Sequence, residues 1–359
     1  MPIQLLLTSI LMLCLIALPA QACTRVVYHG EDNTIITGRS MDWKEDMFSN
    51  LWLFPRGMKR DGVAGKNSVA WVSKYGSVAV SGYEAGTADG MNEKGLAAGL
   101  LYLTESDYGD PKAHPEKPQI CISVWMQYVL DNFATVDEAV KALKDEPFHI
   151  IAPPIPNGSP AQLHLAISDP SGDVAVFEYI AGRLVIHHGE QYQIMTNSPI
   201  YSEQLALNEY WQGIGGLTFL PGTNRAADRF ARAHFLVNAI PKKKMDAYIT
   251  AVPNKSFHFQ AVASVASVMR SVSVPLGITT PDQPNISSTI WRTIADHKNK
   301  IYYFDSATSP NVFWVNLQEL DFNAGSSVQK IKLTDGAIYK GNASKEFKSA
   351  QPLKFLPAP

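Results

Sequence analysis

Short apolar runs bounded by turn residues occupy both ends of this 359-residue chain, and helical periodicity is confined to internal blocks. The strand-like runs are Thr24–Tyr28, Thr34–Gly38, Leu51–Phe54, Ser68–Trp71, Val78–Gly82 and Leu96–Leu103. Helical spacing is predicted from Gln119 to Leu143 with a break near Phe133, and Thr135-Val136-Asp137-Glu138 has the form of a capping box. Strands are predicted again at Leu163–Ser168, Asp173–Tyr179, Leu184–His188 and Gln191–Thr196, joined by Gly-containing turns as an antiparallel meander. Asn224–Ile240 and Phe259–Val272 read as helices, and Ser287–Ala295, Lys300–Ala307, Asn311–Leu317 and Val328–Leu333 as closing strands. Strands first and last with helices in internal blocks predict a layered α+β domain. No shift in composition marks a boundary, so residues 23–359 read as a single domain.

Residues 1–22 read as a secretory leader. Leu5 to Leu18 is an apolar stretch of h-region length, and Ala20-Gln21-Ala22 is an A-x-A cleavage site. Cleavage there makes Cys23 the first residue and gives it a free α-amine of pKa about 7.7–8.0 beside its own thiol. Such a residue carries both a nucleophile and a base, which points to an N-terminal-nucleophile amidohydrolase. The leader lacks a Lys or Arg near its start. A cysteine directly after a leader also fits a lipid-anchored, non-catalytic ligand-binding protein, although that pattern favours Leu where Ala20 stands.

Composition narrows the partners. Hydrophobic residues make up 46% and charged residues 18%, so the chain is globular, and with a net charge of −2 and no basic run it is not built for nucleic acid or an anionic membrane. No apolar stretch after the leader is long enough to span a bilayer. Of three cysteines, Cys14 lies in the leader, and Cys121 lies in an apolar run where it reads as a small core residue. No metal is expected: His187 and His188 are adjacent on a predicted strand and face opposite sides, and no H-E-x-x-H or C-x-x-C is present.

Several motifs follow Cys23-Thr24-Arg25 in order. They are Gly38-Arg39-Ser40-Met41-Asp42-Trp43, Asp89-Gly90-Met91-Asn92-Glu93-Lys94-Gly95-Leu96, Met195-Thr196-Asn197-Ser198-Pro199, and Leu220-Pro221-Gly222 leading to Asp228-Arg229-Phe230. Together they resemble the choloylglycine hydrolase family of cysteine N-terminal-nucleophile hydrolases, which contains bile salt hydrolases and penicillin V acylases. The resemblance implies a four-layer αββα sandwich with two antiparallel sheets, and catalysis without metal or organic cofactor.

It also implies site residues. Cys23 matches the nucleophile, Arg39 the arginine that lowers the thiol pKa, and Asp42 the aspartate that holds the α-amine. Asn197 matches the side-chain oxyanion donor and Arg229 a supporting arginine. Read alone, Arg39, Asp42, Asn197 and Arg229 each also fit an ordinary turn or surface position. Tyr102 stands where bile salt hydrolases usually carry Asn. With Trp43 it resembles the aromatic acyl pocket of penicillin V acylases from Gram-negative bacteria, the Tyr102 N–H serving as second oxyanion donor. The rival for both rings is ordinary core packing. The implied function is an exported, periplasmic or secreted amidohydrolase of acyl amides, namely phenoxymethylpenicillin or long-chain N-acyl-homoserine lactones, with a bile salt hydrolase as the alternative. The family further implies a homo-oligomer, a tetramer, although the 31 residues between Asn197 and Arg229 are fewer than in Gram-positive relatives.

Overall fold

A computed structural model describes residues 23–278 and 287–358. The predicted leader and the start of the run Ser287–Ala295 therefore meet different fates: the leader lies outside the described residues, whereas the strand Ser288–Asp296 is seen. Among the described residues, two large sheets stack face to face. The first runs in the order Ile194–Met195, Thr24–Gly30, Thr34–Trp43, Ser288–Asp296, Ile301–Ser306, Val312–Asn316 and Gly341–Asn342. The second runs Arg183–His188, Val174–Ile180, Leu163–Ser168, Ala97–Tyr102, Gly86–Asn92, Ser77–Gly82, Leu51–Phe54, Gln329–Ile331 and Lys348–Ser349. Neighbouring strands are antiparallel except Val312–Asn316 with Gly341–Asn342.

Helices Ala226–Ala239 and Phe257–Ser271 cover the outer face of the first sheet, with Tyr201–Ile214 packed on the former. Ile122–Asn132 and Val136–Leu143 cover the second. The result is the αββα sandwich that the resemblance implies. A sheet covered on both faces needs strands apolar or satisfied on both sides, which is why every residue of Thr34–Trp43 is buried.

That strand divides the chemistry by parity. Gly38 faces the helices so closely that a Cβ there would sit 2.6 Å from Met269 Cγ. Ser40 and Asp42 share its face, while Arg39, Met41 and Trp43 point between the sheets. The neighbouring strand Ser288–Asp296 carries a bulge between Thr289 and Trp291, so Thr289 pairs with Asp42 and Trp291 with Met41. The extra residue, Ile290, turns Thr289 to the helix side and Trp291 to the inter-sheet side.

The structure corrects several local expectations. Gln119–Cys121 is a strand, paired in parallel with His149–Ile151, and the helix starts at Ile122. Thr135 caps Val136–Leu143 by accepting the Glu138 N–H at 3.2 Å, but the Glu138 carboxylate reaches the Ala134 N–H rather than that of Thr135. The meander ends at Arg183–His188: Ile194–Met195 crosses to the first sheet and pairs with Thr24–Gly30. That crossing carries the next residues, Thr196 and Asn197, to the end of the strand that begins beside Cys23. Helix Tyr201–Ile214 is an addition, unmarked in sequence because only Tyr201, Gln204 and Asn208 are buried along it.

Candidate active site

Cys23 sits just before Thr24, which pairs with Ser40, so it lies beside Met41 on the inter-sheet face. Its Sγ is 3.9 Å from Met41 Sδ and 3.7 Å from the Asp42 carbonyl oxygen. Burial pushes the Cys23 thiol up, and the Arg39 guanidinium opposes this most strongly, with help from Arg229, while the Asp42 charge works against both. The buried Cys121 thiol is also pushed up, but only hydrogen bonds from residues 122 and 123 oppose it. A cationic setting is what activates a thiol, and it is found at Cys23.

Arg39 is fully buried, stacks 4.6 Å over the Trp291 ring and donates to the Leu100 carbonyl at 2.9 Å. Among the described residues, its Nε and Nη1 have no acceptor. Two buried donors are thus left over beside the thiol.

Asn197 links the remaining parts. Its Oδ1 accepts the Cys23 N–H at 2.6 Å and an Arg229 Nη2–H at 2.9 Å, and its Nδ2 donates to the Tyr102 carbonyl at 2.7 Å. A guanidinium only donates, so the oxygen must face Arg229, which fixes the amide orientation and leaves one Nδ2–H to spend. Arg229, buried on helix Ala226–Ala239, also donates to the Cys23 carbonyl and to Thr24 Oγ1, each at 2.6 Å. It is therefore a structural clamp on the Cys23 backbone and no solvated helix residue.

Asp42 lies on the far side of the strand. Its carboxylate accepts from Thr289 Oγ1 at 2.5 Å and Ser40 Oγ at 3.3 Å, and Asn197 rather than Asp42 receives the Cys23 N–H. Burial pushes Asp42 up to about 6, although Arg229, Thr289 and Arg39 pull it down.

Cys23 lines a pocket of about 100 Å³ whose walls are almost wholly apolar. Trp43 and Tyr102 both line it, their ring centroids 6.0 Å apart at 51°. The Tyr102 hydroxyl donates to Gln162 Oε1 at 3.0 Å, and the Trp43 indole N–H donates to Tyr83 Oη at 2.6 Å.

Tyr83 and Thr289 were not singled out by the sequence. Tyr83 sits with Glu84 in a tight turn at φ 54° and 50°, a left-handed conformation that favours Gly or Asn, so no turn signature marks it. Its hydroxyl donates in turn to Glu45 and accepts from Asn157, which ties the strand Trp43 to the loop around residue 157. Thr289 lies 247 positions from its partner Asp42, and only the fold brings them together. Among the described residues, no group of three or more His, Cys, Asp or Glu is placed to hold a metal ion.

The chain belongs to the choloylglycine hydrolase family of linear amide C–N hydrolases, whose pattern it matches over residues 23–330. Within that class it is 49% identical to a penicillin V acylase from Pectobacterium atrosepticum, over 93% of this chain and 92% of that one. It is 27% identical to a bile salt hydrolase/transferase from Clostridium perfringens, over 84% of this chain and 94% of that one. The structure of penicillin V acylase from Agrobacterium tumefaciens superposes with a TM-score of 0.83 at 55% identity, covering 93% of this chain and all of that one. A conjugated bile acid hydrolase variant from Clostridium perfringens superposes at 0.71 with 22% identity, covering 89% of this chain and 99% of that one, a likeness of fold. The chain is thus a hydrolase of linear amide C–N bonds, of penicillin V acylase type.

Proposed function

We propose that this protein is an exported amidohydrolase, periplasmic or secreted, in which Cys23 attacks acyl amides bearing a bulky apolar acyl group. The observation that carries the reading is the position of the Cys23 thiol, close to Arg39 in the lining of an apolar pocket that Trp43 and Tyr102 also wall. Cleavage after Ala22 would expose the α-amine now bonded to Asn197. That amine takes the thiol proton, and the thiolate attacks the amide carbonyl carbon. The oxyanion receives the spare Asn197 Nδ2–H and the Tyr102 N–H, which points away from strand Leu163–Ser168 because Leu103, not Tyr102, donates across to Gln162. The C–N bond then breaks, the ammonium returns its proton to the leaving amine, and water hydrolyses the acyl-thioester with the amine again as base. A free ammonium has three donors, so the Asp42 side of the strand is open to it in addition to Asn197.

Two aromatic walls suit phenoxymethylpenicillin, and apolar pocket walls also suit the acyl chain of N-acyl-homoserine lactones. Tyr102 in place of Asn supports these over conjugated bile salts. A homo-oligomer, a tetramer, is retained as part of the proposal on the family likeness. The test is intact mass and turnover together. The mature chain is expected to start at an unmodified Cys23 and to hydrolyse phenoxymethylpenicillin better than glycocholate. Cys23→Ala is expected to be folded and inactive. A lipidated Cys23, or activity retained in Cys23→Ala, refutes the proposal; glycocholate as best substrate refutes the specificity alone.

A further inference from the structure

The segment that carries Asn197 is held from behind by two buried residues that do not line the pocket. His164 and Glu178 lie on adjacent antiparallel strands of the second sheet, Leu163–Ser168 and Val174–Ile180, and each is about 1% exposed. His164 Nδ1 is 2.9 Å from Glu178 Oε1, and His164 Nε2 is 2.9 Å from the Thr196 carbonyl oxygen. The other carboxylate oxygen, Glu178 Oε2, accepts the Tyr201 N–H at 3.0 Å. One side-chain pair thus grips both ends of the stretch from Thr196 to Tyr201, where the chain leaves the first sheet and enters a helix.

The donors and acceptors make this grip one unit. The Thr196 carbonyl has no proton, so His164 Nε2 carries one, and a second proton lies between His164 Nδ1 and Glu178 Oε1. Losing the carboxylate orphans both the imidazole Nδ1 and the Tyr201 N–H. A buried acid–base pair of this kind is a poor source of stability, since apolar residues of like volume do as well or better. Its contribution is placement. Between its two grips, Asn197 is the residue whose side chain meets Cys23, Arg229 and Tyr102.

The geometry points to Glu178 and His164 as positioning residues for the catalytic step, acting through Asn197. The inference rests on the reading of Asn197 as an oxyanion donor. An oxyanion donor displaced by a fraction of an ångström loses most of its effect, because the charge it meets exists only in the transition state.

The experiment uses the mature enzyme and phenoxymethylpenicillin, with kcat and KM measured separately. Glu178→Leu is expected to lower kcat roughly 10–100-fold with KM within about 3-fold. Glu178→Gln is the conservative rescue: its amide donates to His164 Nδ1 while its oxygen accepts from Tyr201, and kcat is expected within about 3-fold of wild type. The rate of iodoacetamide labelling at Cys23 is expected to be unchanged in both, since neither Arg39 nor the thiol is touched. In an Asn197→Ala background, which is itself expected to cost about 10²–10³-fold in kcat, Glu178→Leu is expected to add no further loss. If Glu178→Leu does not fold, His164→Leu, which cuts only the Thr196 end, carries the same comparisons. Wild-type kcat in the folded Leu variant, or losses that multiply in the Asn197→Ala background, overturns the inference. Wild-type kcat in Asn197→Ala alone overturns the oxyanion reading as well.

Discussion

His297 gives the protein a calculable sensitivity to acid. The side chain is wholly buried just beyond strand Ser288–Asp296, with Nδ1 2.6 Å from the Gly95 carbonyl and Nε2 2.7 Å from Thr37 Oγ1. A carbonyl only accepts, so Nδ1 carries the proton and Nε2 takes one from a hydroxyl: the neutral form satisfies both contacts. Burial, with a smaller push from the Arg25 cation, lowers His297 from 6.5 to about 4, against the pull of the Gly95 carbonyl. Between those values the unfolded chain binds a proton that the native one refuses, so stability rises with pH across the window and is lost as pH falls from 6.5 towards 4. At pH 4.5 the loss from this residue is roughly 2–3 kcal/mol, worked from the folded value of about 4 and the unfolded 6.5. His297→Asn removes it. Urea unfolding of wild type and variant at pH 7, 6, 5 and 4.5 is the assay. The variant is expected to be less stable at pH 7, having lost a cross-sheet anchor, and the gap between the two proteins is expected to narrow by roughly 2–3 kcal/mol by pH 4.5. Other histidines cancel in the difference. A gap that stays constant with pH refutes the reasoning.

Three further predictions concern the site. Arg39→Met removes the largest influence holding the buried Cys23 thiol down, so the iodoacetamide labelling profile is expected to move to higher pH, with the rate at pH 7 falling roughly 10-fold or more; an unchanged profile rejects Arg39 as the activating cation. Trp43→Ala is expected to raise KM for phenoxymethylpenicillin roughly 10-fold through lost ring burial, and Tyr102→Asn to shift kcat/KM towards glycocholate. Equal effects of Trp43→Ala on all three substrate types would make the ring a packing residue only.

The legible part of the site came from motifs that lie within a few residues of one another. Arg39, Asp42 and Trp43 share one decapeptide strand, and Thr196-Asn197-Ser198 one short segment, so their types and order survive in the linear text. Partners joined only by the fold left no trace: Thr289 beneath Asp42, Tyr83 on Trp43, His164 and Glu178 behind Asn197. The fold was legible where periodicity was strong, as in Leu51–Phe54 and Leu163–Ser168, which match the strands residue for residue. It failed at Ile120-Cys121-Ile122, a short apolar run that period alone assigns to neither state. It failed also at Tyr201–Ile214, whose surface face offers no apolar stripe, and at Ile194–Met195, where nothing local tells a strand which sheet to join.

The bulge at Ile290 gives this part of the chain one residue more than its pairing needs. Thr289 and Trp291 are two positions apart, and in a regular strand they would look the same way; the one surplus residue sends them to opposite sides, under Asp42 and under Arg39. Ile290 is itself only half-buried, so many side chains would serve there. Its removal would leave Thr289 and Trp291 as neighbours, which face opposite sides of a regular strand, so each would keep its side and its partner, Asp42 or Met41. What the surplus residue adds is a local bend and a sharper twist in the strand beneath Asp42 and Arg39. This stretch can lose a letter at that point as readily as change one.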